Sequence, residues 1–481
     1  MAARNAGSSG AARGTIQTFV GRMGFLASGY IITVILARGM GPADYGIYGL
    51  LISLLLWLEG FIGLGIPQAT VIKMSGAREP EHVAQAARIV LCSTAAIVFA
   101  ICWFLSPWAA DFFRVENGTL LFRIAVADLP FFGLFLAYQG TLQGYARFGA
   151  AALSQIVYAL TKLVGTLSLL VIGFSVEAAL IVNVLTTVVA LVYLVGRYPP
   201  RLFVPARPLF RRLLAVALPV GVFDFTLQLI VSAHLWLLKR IGETPDVVIG
   251  HYAAALNIAR MPTIVATVLS GILLSSIARA VAANDRALAL RYVQSASRFV
   301  FVVLVPVCVF GALQAEEIMR LLYADAYAGT GTLLVPLLLG GGMLALLLTL
   351  LTCIIAAGRQ RLAAAVLAAL LPLLLALGVL LTPAMGPAGA ALSFLATTTC
   401  GALVALVLVH RYFGAPARLS MVLRVAGATA VVGLAGAYLH FPGWRVIVVL
   451  GGLQCAYWLA LVLFKELGVN DLRPFAGWKT G

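Results

Sequence analysis

Six ionisable residues interrupt stretches of sequence that are otherwise almost wholly apolar. Three are cations and three are carboxylates: Arg22, Lys162, Arg260, Glu59, Asp128 and Asp224. Each would cost about 2.5 to 3.5 kcal/mol at a lipid-facing position in the centre of a membrane helix. We therefore expect them to face water or one another, either along a hydrated pathway for a charged molecule or as structural ion pairs.

Uncharged polar residues extend the faces of the helices that carry these charges. Helical spacing groups them into three stripes, each around one charge: Asp128 with Gln139 and Gln143, Lys162 with Gln155 and Tyr158, and Arg260 with Asn257. Such stripes favour a hydrated pathway, although polar contacts between packed helices would produce the same spacing. Prolines interrupt several of the same segments and predict kinks, at Pro67, Pro130, Pro219 and Pro262.

The whole chain has the composition of an integral membrane protein. Of its 481 residues, 62% are hydrophobic and 10% are charged, and the mean hydropathy is +1.04. Fourteen apolar runs have about the length that spans a bilayer: 17–37, 47–72, 89–108, 124–144, 151–172, 177–196, 213–238, 251–278, 299–315, 332–357, 362–382, 389–410, 422–440 and 445–464. Runs of this length without two-residue alternation predict an all-α membrane protein of about 14 transmembrane helices.

A basic connection in the middle of the chain divides these helices into two lobes. It covers residues 197–212 and lies between the sixth and seventh predicted helices. The predicted organisation is a tail at 1–16, a six-helix lobe at 17–196, the linker at 197–212, a second six-helix lobe at 213–410, two further helices at 411–464 and a tail at 465–481. A short internal repeat agrees with two parallel lobes, since GIYGLL begins at Gly46 and GHYAAA at Gly250, although chance similarity explains so short a match equally well.

The distribution of basic residues predicts the orientation of the helices. The net charge is +16, and 23 of the 33 Lys and Arg residues lie in the tails and in the connections on the side of the tails, against seven on the other side. Because basic residues concentrate on the cytoplasmic side, both tails are predicted to be cytoplasmic in a multi-pass protein of the cell membrane. Topology thus accounts for the positive charge, and we expect membrane lipids and no nucleic acid as partners.

Sequence motifs give little support to an enzyme. The six cysteines form no CxxC pair, no Gly-Lys dipeptide exists for an ATP-binding phosphate loop, and none of the five histidines belongs to an HExxH motif. The expectation is that the protein has no metal site, no resident cofactor and no enzymatic activity. A membrane enzyme that processes glycans is the less favoured alternative.

The segment from Leu36 to Gly76, LARGMGPADYGIYGLLISLLLWLEGFIGLGIPQATVIKMSG, resembles the polysaccharide flippase family. This family is the Wzx-like branch of the multidrug/oligosaccharidyl-lipid/polysaccharide (MOP) exporter superfamily. The matching positions are the turn after the first helix, with Gly-Pro followed by an acidic residue and two aromatic residues, and a Gly-Leu-Gly at the end of the second: Ala37, Arg38, Met40, Gly41, Pro42, Asp44, Tyr45, Gly46, Tyr48 and Gly63–Gly65.

The resemblance implies a flippase that moves a lipid-linked oligosaccharide across the cytoplasmic (inner) membrane by alternating access. The implied substrate is an undecaprenyl-pyrophosphate-linked oligosaccharide for surface polysaccharide assembly, with a polysaccharide polymerase and export machinery as partners. An ion-coupled multidrug exporter and a lipid II flippase of the same superfamily are the alternatives.

For a pyrophosphate headgroup, Arg22, Arg260 and Lys162 are the expected cavity cations, because guanidinium groups bind phosphate oxygens and stay charged. The three carboxylates, Glu59, Asp128 and Asp224, are then expected to hold those cations between turnovers or to carry a coupling proton or sodium ion.

Overall fold

The chain is built from α-helices in a computed structural model. The model describes the backbone of residues 2–198, 210–439, 441–464 and 466, and the side chains of residues 28–198, 213–439 (other than 219, 268, 269 and 272), 441–464 and 466. No β-strand occurs in this part of the chain. The predicted all-α membrane class is confirmed.

Packing separates the chain into two compact units, residues 1–253 and 254–481. The described part of the first unit contains α1 Ala2–Gly63, α2 Ile66–Met74, α3 Pro80–Phe113, α4 Gly118–Val126, α5 Leu129–Gly144, α6 Phe148–Ile172, α7 Val176–Arg197, α8 Phe210–Ile241 and the beginning of α9 Asp246–Ala259. The second unit continues with α10 Met261–Ala282, α11 Arg286–Phe299, α12 Val305–Leu313, α13 Ala315–Tyr323, α14 Gly331–Ala356, α15 Gln360–Met385, α16 Pro387–Phe413, α17 Leu419–Gly436 and α18 Arg445–Leu463.

The boundary between the compact units lies within α9, whereas the basic linker separates the predicted lobes. The first helix after that linker, α8, belongs to the first unit. Residues 199–209 of the linker and all of the C-terminal tail except Glu466 lie outside the described residues. The predicted lobe boundaries and the cytoplasmic position of the tails stay predictions.

Twelve helices in the described part of the chain are long and apolar enough to cross a membrane. Eleven coincide with single predicted spans. The twelfth, Ser28–Met74, has 47 residues and covers two predicted spans, since it would extend about 70 Å against a hydrocarbon core of about 30 Å. The one predicted span that remains, 251–278, lies on α9 and α10. These two helices meet at Arg260, so no single uninterrupted helix covers this span.

Glycine and proline produce the breaks in these helices. Gly41 has φ 76° and ψ 172°, which interrupts α1 directly before Pro42, as the turn motif predicts. Pro67, Pro130 and Pro262 each lie in the first turn of a new helix, at the start of α2, α5 and α10 respectively. Three of the four predicted kinks therefore coincide with observed breaks.

The two glycines of the short internal repeat pack against each other inside the first unit. A Cβ added to Gly46 would lie 2.7 Å from the backbone nitrogen of Gly250 and still closer to the carbonyl oxygen of Asp246. A Cβ on Gly250 would overlap the carbonyl oxygen of Pro42. The aromatic residues two positions later, Tyr48 and Tyr252, are both buried. Repeated glycines thus allow α1 and the start of α9 to approach at backbone distance.

Gly65 of the Gly-Leu-Gly motif has a similar role at the other end of the same helix. Its φ is 70°, a conformation that glycine adopts without strain, and a Cβ there would lie 2.6 Å from the carbonyl oxygen of Ala217 on α8. Gly221, one turn further along α8, is packed against the backbone of Leu64 in return. The motif therefore forms the junction between α1, α2 and α8.

The last two helices pack onto the second unit through an apolar cluster. Val425 on α17 and Tyr457 and Leu461 on α18 are buried together with Phe310 of α12. At the end of α18, the Glu466 carboxylate pairs with Arg298 and Arg424 at 3.5 and 3.2 Å. These contacts tie α17 and α18 to the α11–α12 segment.

Candidate functional site

Two of the intramembrane carboxylates lie side by side in the first unit. Glu59 is in the last turns of α1, and Asp128 is at the break between α4 and α5 that precedes Pro130. The two side chains lie close enough for their charges to interact. Two carboxylates in this position repel each other when both are ionised, so a proton on one of them would stabilise the pair.

Lys162 on α6 is the cation nearest to this carboxyl pair among the described residues. Its Nζ donates a 2.7 Å hydrogen bond to Oδ1 of Asn183 on α7. The same Nζ lies 5.9 Å from the ring centroid of Tyr158, one turn earlier on α6. Lys162 is therefore held from two sides next to Glu59 and Asp128.

Asp128 is the most enclosed member of the cluster. Its side chain has no exposed surface, and both carboxylate oxygens are buried without a donor at hydrogen-bond distance in the described part of the chain. Thr187 on α7 is a neighbour, but its hydroxyl donates to the carbonyl oxygen of Asn183 at 3.4 Å. An ionised Asp128 at this position would be costly, and a proton or a small cation would remove that cost.

We define the carboxyl-lysine cluster as Glu59, Asp128, Tyr158, Lys162, Asn183 and Thr187. Its charge depends on one proton: with both carboxylates ionised the net charge is −1, and with one proton bound it is zero. The cluster joins four helices of the first unit, α1, α5, α6 and α7, so a change in its charge would act on the packing of all four.

The predicted polar residue Gln139 makes its hydrogen bonds outside this cluster. Gln139 donates from Nε2 to the carbonyl oxygen of Ala151 at 3.2 Å and to Oγ of Ser154 at 2.5 Å, which ties α5 to α6. Gln143 and Gln155 are half-buried on α5 and α6. Gln139 therefore serves helix packing, one of the two explanations for a polar stripe.

The third carboxylate, Asp224, lies in α8 next to an aromatic cluster. The ring of Phe225 is 5.3 Å from that of Trp57 and 5.6 Å from that of Phe61, both on α1. Trp236 adds an edge contact to Trp57 at 5.6 Å and donates from its indole nitrogen to Oγ of Ser53. Asp224 itself has no ion-pair partner among the residues whose side chains are described.

The other two predicted cavity cations are Arg22 on α1 and Arg260 between α9 and α10. The side chain of Arg22 lies outside the described residues, so its predicted contact with substrate stays a prediction. Arg260 is half-buried at the break between α9 and α10, where its carbonyl oxygen accepts from Thr263 Oγ1 at 2.6 Å. Asn257, which shares its stripe, is half-buried one turn earlier on α9.

Sequence reasoning missed two residues of interest, Asn183 and Arg123. Asn183 is a single amide in an apolar helix. Only the packing of α6 on α7 shows that it accepts a hydrogen bond from Lys162. Arg123 was assigned to a connection, but α4 begins at Gly118, so it lies inside a membrane-length helix, with its guanidinium 5.1 Å from the ring centroid of Trp103. A polar residue inside an apolar run was the signal available for each.

Comparison with protein families decides the classification of the chain. A family model described as "Polysaccharide biosynthesis protein" matches residues 11–274, which is more than half of the sequence. The chain belongs to this polysaccharide biosynthesis protein family. The matched segment includes the turn after the first helix and the whole carboxyl-lysine cluster, and the resemblance to polysaccharide flippases is confirmed at the level of the family.

Solved structures show that this polysaccharide biosynthesis protein has the fold of MOP-superfamily transporters. The lipid II flippase MurJ in its inward closed conformation matches with a TM-score of 0.78 and 15% identity, over 94% of this chain and 99% of that one. An inward-facing multidrug resistance MATE family transporter of the MOP superfamily gives 0.71 and 15%, over 84% and 98%. A MOP superfamily transporter from Pyrococcus furiosus gives 0.62 and 17%, over 85% and 96%. No curated protein matches the sequence.

Proposed function

We propose that this protein is a flippase that translocates a lipid-linked oligosaccharide, carried on a polyprenyl pyrophosphate, across the cytoplasmic membrane for surface polysaccharide assembly. The family match over residues 11–274 carries this proposal, because it connects a transporter fold with polysaccharide biosynthesis. On this proposal the protein is a transporter that makes or breaks no covalent bond in its cargo. Its tails lie in the cytoplasm, and a polysaccharide polymerase and the export machinery act after it.

Within that function we assign the carboxyl-lysine cluster to ion coupling. Lys162 is bound by Asn183 and lies beside Glu59 and Asp128, which supports a role as the internal counter-ion of the two carboxyl groups. A proton or a sodium ion at the carboxyl pair would neutralise the cluster and allow α1, α5, α6 and α7 to repack. Loss of that ion on the other side of the membrane would reverse the change.

Arg22 and Arg260 remain the proposed contacts for the pyrophosphate headgroup. Guanidinium groups bind phosphate oxygens through paired hydrogen bonds and keep their charge when partly desolvated. Asp224 is the proposed counter-ion that occupies one of them when substrate is absent. Competition between the carboxylate and the phosphate would then favour release of the cargo after translocation.

Deletion of the gene tests the proposed function. The deletion strain should lose its surface polysaccharide and accumulate lipid-linked repeat units, and a plasmid copy of the gene should reverse both effects. If the deletion leaves the polysaccharide intact and makes the cells sensitive to cationic drugs, the protein is a multidrug exporter with the same fold.

A further inference from the structure

An apolar cavity of about 180 Å³ lies in the first unit between α1, α3 and α4. Its walls are almost entirely hydrocarbon and aromatic surface, and they include Leu54, Trp57, Leu105, Trp108, Phe122 and Ala125. Apolar cavities of about 150 Å³ stay dry and take up apolar guests in other proteins. The cavity therefore suits a segment of hydrocarbon chain and does not suit water or a polar ligand.

The cavity is open towards the surface of α3 that faces the surrounding medium. Leu105 and Trp108 line it and are nevertheless 49% and 61% exposed, and Phe104 beside them is 79% exposed. Because α3 is a membrane-length apolar helix, this exposed side lies against lipid. A chain of a neighbouring lipid can enter the cavity from the bilayer without crossing polar surface.

Arg123 supplies a charge next to this cavity. It follows the lining residue Phe122 on α4, and its Nε is buried without a hydrogen-bond partner. The Arg123 guanidinium carbon lies over the ring of Trp103, 5.1 Å from its centroid, but the ring accepts none of the in-plane N–H donors. Among the described residues no carboxylate pairs with Arg123, whereas Arg114 on the same side of the unit is paired with Glu243 at 2.8 Å.

The position of Arg123 along α4 suits a lipid headgroup. It lies six residues after Asn117, which is exposed at the start of the helix, so its Cα is about 9 Å below that end. A long arginine side chain at this depth extends towards the headgroup region of the bilayer. A phosphate there would accept the paired hydrogen bonds that the protein leaves unmade.

We propose that the cavity and Arg123 form a binding site for an anionic phospholipid of the surrounding bilayer. One acyl chain occupies the space between α1, α3 and α4, and the phosphate binds the Arg123 guanidinium. Phospholipid is the assigned occupant because the opening faces the bilayer, where phospholipids are the abundant amphiphiles, and either of their two acyl chains can enter the cavity while the phosphate stays beside it. None of the residues that line this cavity belongs to the carboxyl-lysine cluster.

Native mass spectrometry of the full-length protein, titrated with phosphatidylglycerol or with phosphatidylcholine, tests the site. The wild type should retain phosphatidylglycerol in preference. Arg123→Gln should weaken that retention about tenfold, the typical effect of losing a charge-assisted hydrogen-bond pair, and should weaken phosphatidylcholine retention less, because the choline cation already balances the charge of its phosphate. Arg114→Gln is the matched control and should behave as wild type, because that arginine already has a carboxylate partner.

Two cavity-filling variants test the acyl-chain part of the site. Leu54→Trp should reduce retention of both lipids, and the milder Ala125→Leu gives the same test if the larger residue lowers the yield of folded protein. Retention by Arg123→Gln equal to that of wild type would overturn the headgroup assignment. Undiminished retention in folded cavity-filled protein, or displacement of phosphatidylglycerol by an equimolar polyprenyl phosphate, would overturn the proposed occupant.

Discussion

Lys162 on α6 donates a 2.7 Å hydrogen bond to the side-chain oxygen of Asn183 on α7. This contact fixes an ammonium group beside two carboxyl groups, Glu59 and Asp128, inside one compact unit. A buried group of one cation and two acids balances its charge only when one further positive charge is bound. The first two predictions follow from that balance.

Removal of the lysine charge should destabilise the protein. Removal of one carboxylate from that variant should restore its stability. Lys162→Met leaves two carboxyl groups without their cation, which typically costs about 3 to 5 kcal/mol for a buried charge that loses its partner. The expected result is a lower melting temperature in detergent and lower abundance in membranes. The double variant Lys162→Met with Asp128→Asn should regain stability but not export. Recovery of export as well would show that the cluster is a structural ion pair.

The carboxyl pair should determine whether translocation responds to an ion gradient. In proteoliposomes, wild-type protein should move its lipid-linked cargo faster when a proton or sodium gradient is imposed. Glu59→Gln keeps the size of the side chain but cannot exchange a proton, so its rate should no longer depend on the gradient. Glu116→Gln, an exposed carboxylate in the connection before α4, is the control. An unchanged gradient response in Glu59→Gln would exclude the assigned role.

The glycine contact between α1 and α9 should tolerate no side chain. Gly46→Ala places a methyl group against Gly250 and the backbone of Asp246, so something must shift, at a cost of about 1 to 3 kcal/mol. A thermal unfolding assay should show a lower melting temperature than wild type. Gly29→Ala, in the same helix but with no atom within 4 Å of the added carbon, should be neutral or slightly stabilising. Equal effects of the two variants would contradict the close approach.

Much of the fold follows from the order of residues along the chain. Apolar runs of bilayer length specify the helices, and Gly41 with Pro42 specifies the break between the first two predicted spans. The short repeat at Gly46 and Gly250 pointed to a relation between two helices. Only the structure shows that these glycines contact each other, because sequence similarity gives no information on which faces of two helices meet.

The candidate site could be predicted only in part for the same reason. The depth of a charged residue in the membrane can be read from its position within an apolar run. The rotation of each helix depends on packing, and it brings Glu59 next to Asp128 and Lys162. Asn183 gave no signal except that it is polar in an apolar helix, and its importance depends on Lys162 lying opposite to it.

Glu316 lies in a connection of the second unit, outside the membrane-length helices, and its contacts predict how the stability of this connection depends on pH. Glu316 on α13 accepts hydrogen bonds from the backbone N–H groups of Gly329 and Gly331 at 2.8 and 3.0 Å and pairs with Arg320. Partial burial raises its pKa, but these donors outweigh that effect and hold the pKa of Glu316 below its usual value. Its contribution to stability is thus present above the pKa of the unfolded chain and is lost as the pH falls through the lower pKa of the folded state.

Glu316→Gln should therefore loosen this connection at neutral pH, since a neutral amide accepts more weakly and pairs with no arginine. Hydrogen exchange at pH 7 should be faster in residues 325–331 of the variant than in wild type. The variant Asp325→Asn, which changes an exposed carboxylate within the same segment, is the control. If both variants exchange at the wild-type rate, the Glu316 contacts do not hold the segment in place.

The sidedness of the lipid-linked oligosaccharide tests the central claim most directly. Sealed spheroplasts can be treated with an impermeant reagent that labels the glycan, and the labelled fraction measures how much of it has reached the outer face. With the protein present, most of the lipid-linked oligosaccharide should be labelled, and after its depletion the label should fall while the total amount rises. The same labelled fraction with and without the protein would contradict its assignment as the flippase.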